Sequence, residues 1–155
     1  MPSCTNLIAA VDLNHRAAGI VRRAARLAAL CHGRLILLHV VEFDAGYESD
    51  YVPLLNPDQV RGDMERQARA WLLGLACHLN LTGVEIIVRS GRLHDVVTDL
   101  ALERQARYIL TGSSRWGLFS RLGSLARERR LLALGCDLVG MADEWRSGRG
   151  EVIPV

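Results

Sequence analysis

The chain contains no lysine, so all of its basic side chains are arginines. That absence excludes a Walker-type phosphate lysine, and otherwise reads as a bias of composition. Aromatic residues make up only 5% of the sequence, too few beside any basic run to build a base-stacking surface. The four cysteines, Cys4, Cys31, Cys77 and Cys136, are far apart, with no CxxC and no paired histidine spacing. A zinc site or dithiol redox motif has no local support, and four buried or half-buried thiols in a reducing cytoplasm are expected. No apolar run approaches the roughly 20 residues that a bilayer-spanning helix needs. The start "MPSCTNLIAA" lacks the basic and long apolar regions of a signal peptide. A cytoplasmic protein with no membrane partner is expected. The net charge of +2 is small and both signs are interspersed, which gives no footprint for nucleic acid.

What is present is an ordinary globular composition, 50% hydrophobic and 23% charged over 155 residues, suited to one domain. Five short runs are apolar on both faces: Asn6–Asp12, Gly33–Glu42, Val84–Ser90, Ala106–Gly112 and Cys136–Ala142. Such runs predict parallel strands covered by helices on either side. Helical patterns lie between them. Ile20, Ala24, Leu27, Ala28 and Cys31 share one face, with Asn14 as the expected N-cap and Gly33 as the stop. From Asn56, followed by Pro57 in the first turn, a second helix places Val60, Met64, Ala68, Trp71, Leu72, Leu75 and Leu79 on a predicted core stripe. "LHDVVTDLALERQ" and "SRLGSLARERRLLALG" supply two more. The order β-α-β-α-β-α-β-α-β predicts an open parallel sheet with right-handed crossovers. Phe43–Asn56 is a long acidic connection, and residues 143–155 form a tail after a single domain at 1–142.

Catalytic constellations are scarce. There is no GxSxG elbow, and His94 and Asp95 are chain neighbours rather than a folded dyad. His39 reads as a core or half-buried histidine; His15, His32, His78 and His94 read as solvent-facing or helix-terminal. The basic run Ala126–Leu132 carries Glu128 within it and reads as a solvated helix face, with an acidic partner or RNA as the other reading.

Taken in order, "LIAAVDLN", "RLILLHVVE", "VRSGRLHDVVTDLALERQARYILTGSS" and "SRLGSLARERRLLALGCDLVGM" resemble the universal stress protein family over nearly the whole chain. The resemblance implies a five-stranded doubly wound α/β sheet of order 3-2-1-4-5 with helices on both faces. It also implies a homodimer paired through the last strand, here Cys136–Ala142. One branch of the family binds ATP through a turn of the form Gly-x2-Gly-x9-Gly-Ser/Thr, whose bare backbone and following helix N-terminus attract phosphate. Mapped by motif, the nucleotide residues are Asp12, Val41, Gly112, Ser113, Gly123 and Ser124. The second glycine of the turn is Arg115, and only the seven residues Trp116–Leu122 precede Gly123. This shortened turn resembles the A type, which is not expected to hold ATP.

Two functions follow from the resemblance. The first is a non-enzymatic regulatory or interaction module of the stress response, homodimeric, without a cofactor and with an unidentified protein partner. The second is a nucleotide-dependent switch holding ATP or AMP, with Arg115 and Arg121 available to a phosphate. Without a nucleotide, Asp12 would instead tighten the turn after the first strand or cap the first helix. In that case Trp116 and Phe119 would fill the cleft. A nucleotide-hydrolysing enzyme is the weakest reading, since no positioned base can be named.

Overall fold

The computed structural model describes residues 5–42, 56–111 and 137–140, the last by backbone alone. The elements run β1 (Asn6–Ala10), α1 (Ala17–Leu30), β2 (Arg34–Val41), α2 (Pro57–His78), β3 (Glu85–Ser90), α3 (Leu93–Glu103), β4 (Ala106–Thr111) and β5 (Asp137–Gly140). All strand pairs are parallel. Four strands in the order β3-β2-β1-β4 carry the described helices, and the four-residue β5 pairs alongside β4. The expected fourth helix, residues 120–135, lies outside the described residues.

Strand order dictates which face each helix covers. The chain steps from β1 to β2 to β3 in one direction, so right-handed crossovers put α1 and α2 on the same face. It then returns past β1 to β4, and α3 falls on the other. The packing follows this rule. Leu7, Ala9, Val11, Leu35 and Leu37 pack with Ala17, Val21, Ala24 and Ala28 of α1 and Leu72 of α2. The alternate residues Ile8, Ala10, Ile36, Leu38 and Ile109 pack with Val96, Val97, Leu100 and Ala101 of α3. Apolar residues are thus needed at every position of the central strands, because both faces are buried.

Helix α1 begins at Ala17, later than its sequence cap suggests: the Asn14 side chain accepts from the Arg16 N–H at 2.9 Å and shapes the turn ahead of the helix. Asn56 caps α2 as expected, its Oδ1 accepting from the Asp58 N–H at 3.0 Å. The α2 stripe differs from the sequence expectation. Ala68, Leu72 and Ala76 are buried, whereas Met64 and Trp71 remain 41% and 39% exposed. Trp71 stands one residue, about 100° of helix rotation, from Leu72, so both cannot face the sheet. Small residues at 68 and 76 bring α2 close, and Trp71 is turned outward. Glu65 lies on the inner side and accepts from the Ser90 hydroxyl at the end of β3.

Each described helix is followed, after its C-cap, by a residue in the left-handed region: His32 (φ 50°), Asn80 (φ 53°) and Gln105 (φ 48°). In α1 the Gly33 N–H reaches the Ala28 carbonyl at 2.8 Å and the His32 N–H reaches Ala29 at 3.2 Å, which closes the helix and leads directly into β2. Asn adopts this conformation at little cost, whereas Gln105 pays the steric penalty of its β-carbon against the following carbonyl. Gln105→Gly is therefore expected to stabilise the protein by roughly 0.5–1 kcal/mol, measured as an upward shift of the urea midpoint at constant slope.

The outer edge of the sheet at β3 is dressed with charge. Arg69 of α2 donates to the Ile86 carbonyl at 3.3 Å. Arg104 pairs with Glu85 at 2.6 Å, and Arg89 pairs with Glu103 at 2.9 Å. Of the cysteines described, Cys31 is half-buried but Cys77 is exposed on α2, contrary to the expectation of buried thiols.

Candidate functional site

β1 leads into α1 on one face of the sheet, α3 packs on the other, and a crevice opens beside β1 at the carboxyl ends of the strands. In this protein the crevice is lined by Ala10, Val11 and Asp12 after β1, by Leu38, Val40 and Glu42 along β2, by Leu93 at the start of α3, and by Thr111 at the end of β4. The period of two along a strand explains the selection. Ala10 and Asp12 lie on the α3 side, as do Leu38, Val40 and Glu42. Ala10, Leu38 and Val40 give an apolar floor, and the two carboxylates and Thr111 give a polar rim. Asp12 and Glu42 are the charged residues among the described lining residues.

Asp12 is half-buried, and its backbone carbonyl accepts from the Asn14 N–H at 2.8 Å. The peptide group before it is held from β2: His39 Nδ1 donates to the Val11 carbonyl at 2.8 Å, while the Val11 N–H donates to Leu38 at 2.8 Å. His39 thus anchors the last turn-ward peptide of β1 and fixes where the Asp12 side chain departs. His39→Leu is expected to cost about 1–3 kcal/mol, the penalty for an unsatisfied half-buried carbonyl. His39→Asn should recover most of it, because the Asn amide can reach the Nδ1 position. Paired urea denaturation curves of the two variants check this.

Glu42 makes the second long-range tie. Its Oε1 accepts from the Leu93 N–H at 3.0 Å, across 51 positions of sequence. The N-cap residue of α3, Arg92, provides no side-chain cap, so the carboxylate of Glu42 takes that role at the positive end of the helix. Sequence reasoning missed Glu42 and Thr111. The signal for Glu42 was its parity with Leu38 and Val40, which places it beside Asp12.

Val41 is placed differently from Asp12. Its side chain is only 4% exposed and points away from the crevice, while its carbonyl accepts from the Gly91 N–H at 3.1 Å. Gly91 sits at φ 143°, a conformation open to glycine. Gly112, Ser113, Gly123 and Ser124 lie outside the described residues, although Thr111, directly before Gly112, forms part of the crevice wall. Among the described residues no cluster of His, Cys, Asp or Glu could hold a metal ion, and no helix is long and apolar enough to cross a membrane.

A parallel sheet of this strand order, with a crevice at its switch point, defines a doubly wound α/β protein. The model of the universal stress protein family matches residues 4–128, and the chain belongs to that family. No curated protein matches it. Among solved structures it is similar to a universal stress family protein from Burkholderia pseudomallei, with 20% identity and a TM-score of 0.59, covering 91% of this chain and 98% of that one. It is also similar to the Archaeoglobus fulgidus universal stress protein in complex with dAMP, at 19% identity and a TM-score of 0.52, covering 90% and 98%. A universal stress protein in complex with cAMP matches at 17% identity and a TM-score of 0.50, covering 88% and 95%. At such identities the likeness is one of fold.

Proposed function

We propose that this universal stress protein is a regulatory module whose switch-point crevice takes an adenine nucleoside or nucleoside monophosphate, without turnover. The observation that carries the reading is the crevice itself: an apolar floor of Ala10, Leu38 and Val40 beneath the half-buried carboxylate of Asp12. A flat heterocycle covers such a floor, and a carboxylate accepts from its amino group or from ribose hydroxyls. The fold relatives solved with dAMP and cAMP carry one phosphate each, which supports a small ligand. The shortened turn bearing Arg115 argues against a triphosphate, in keeping with an A-type member. Homodimerisation through residues 136–142, action on a protein partner and a cytoplasmic location belong to the same reading.

A thermal melt decides the ligand. Adenosine or AMP at a hundred times its dissociation constant should add roughly 2.7 kcal/mol, a rise of about 5–10 °C for a chain of this size. ATP should give a smaller rise, and Asp12→Ala should abolish all three. No shift with any of them would overturn the ligand reading, and steady release of phosphate from ATP would overturn the absence of turnover. Light scattering at micromolar concentration tests the dimer, which a monomeric mass would exclude.

A further inference from the structure

We infer that the outer face of α1 is the docking surface for a partner protein, and that the partner presents an acidic, leucine-bearing helix to it. The inference rests on the reading of the chain as a partner-binding module and is independent of any nucleotide. Between Asp12 and Glu42 the sequence has Arg16, Arg22, Arg23, Arg26 and Arg34 and no aspartate or glutamate, although the chain as a whole is close to neutral. The fold turns much of this charge outward. Arg22 and Arg26 are exposed four positions apart on α1, and Leu30, four positions further on, is 79% exposed. Arg34, at the start of β2, is exposed as well.

Helix stability does not account for this arrangement. The N-cap residue of α1 is Arg16, its first turn has no acid and its last turn no base, the reverse of what the helix dipole favours. Like charges at i and i+4, as at Arg22 and Arg26, repel. On α2 the protein does otherwise: Arg61 pairs with Asp58 and Arg66 with Asp63. Arg22, Arg26 and Arg34 form no ion pair among the described residues. Carboxylates brought from outside would relieve the repulsion, and a guanidinium takes a carboxylate through two parallel hydrogen bonds.

The row Arg22, Arg26, Leu30 sets the chemistry of the partner. Its members step by about 6 Å along the axis, so a facing helix with carboxylates at i and i+4 and leucine at i+8 complements them in register. A nucleic-acid backbone would find too few cations, since its binding rests on many phosphate contacts. Residues 13–41 also hold no aromatic ring on which a base could stack. A bilayer surface would need a free apolar face, and α1 has buried its own through Ile20, Val21, Ala24 and Ala28.

Two labelled helical peptides test the surface by fluorescence anisotropy with the full-length protein. One carries glutamates at i and i+4 and leucine at i+8; the other has glutamines in place of the glutamates. The glutamate peptide should bind about tenfold more tightly, the scale of two exposed ion pairs, and the advantage should shrink at high salt. Arg22→Gln/Arg26→Gln should abolish it, with a melting temperature equal to the wild type or higher because a repulsive pair is gone. Arg61→Gln/Arg66→Gln, on α2, should keep it within about twofold. Equal binding of the two peptides, no binding of either, or a preference that survives Arg22→Gln/Arg26→Gln overturns the inference. So does tighter binding of duplex DNA, or of phosphatidylcholine vesicles containing phosphatidylserine, than of the glutamate peptide. These outcomes leave the regulatory reading standing, because steady phosphate release, which would sink that reading, is measured separately.

Discussion

Gly33→Ala should lower the melting temperature by roughly 5–10 °C, a loss of about 2–3 kcal/mol. A β-carbon at this position would stand 2.4 Å from the Thr5 carbonyl oxygen and 2.6 Å from Leu7 Cδ1. Neither neighbour can step aside cheaply. The Thr5 carbonyl accepts from the Arg34 N–H at 2.8 Å, the bond that starts the β1–β2 ladder, and Leu7 is fully buried. The Gly33 N–H is committed as well, to Ala28 at the end of α1. Added bulk therefore pushes apart a helix stop and a strand start that share one residue. Differential scanning calorimetry measures the drop, and a change below 2 °C would show that β1 shifts freely against β2.

The second large effect is expected at Leu72. Helix α2 runs for 22 residues yet buries only Ala68, Leu72 and Ala76. Leu72 is the one large side chain among them and is completely inaccessible. Leu72→Ala should cost about 3 kcal/mol, combining lost transfer energy with the cavity left behind. The damage should also be local. With its anchor gone, α2 should open separately, so its amides should lose hydrogen-exchange protection before those of β1 and β2. Trp71→Ala is the control: a larger side chain is removed, but from an outward position, and the change should stay near 1 kcal/mol or below. Equal losses in the two variants would mean that Trp71 belongs to the core after all.

That contrast shows where the sequence was readable. Strands apolar on both faces could be recognised because burial from two sides leaves no position free for a polar residue, as in "LIAA" and "LILL". The α2 stripe was harder, because size misleads. Trp71 and Met64 attract attention as hydrophobic anchors, while Ala68 and Ala76 do the work of close approach. Asp12 stood out as an acid ending an apolar run, and the crevice does contain it. Glu42 ended the next run in the same way, but its meaning depends on Leu93, which only the return of the chain to the other face brings near. Val41, between two crevice residues, turns its side chain into the core, so any part it has in the crevice would come through its backbone.

The β3 margin of the sheet is guarded. On the β3 side, the hand of Arg69 already holds the Ile86 carbonyl, and two ion pairs crowd the same flank. A foreign strand approaching there would have to strip away a guanidinium before it found a bare acceptor, and edges guarded in this manner resist annealing. A guarded β3 margin would disfavour a second copy adding there, in keeping with the dimer proposed through residues 136–142.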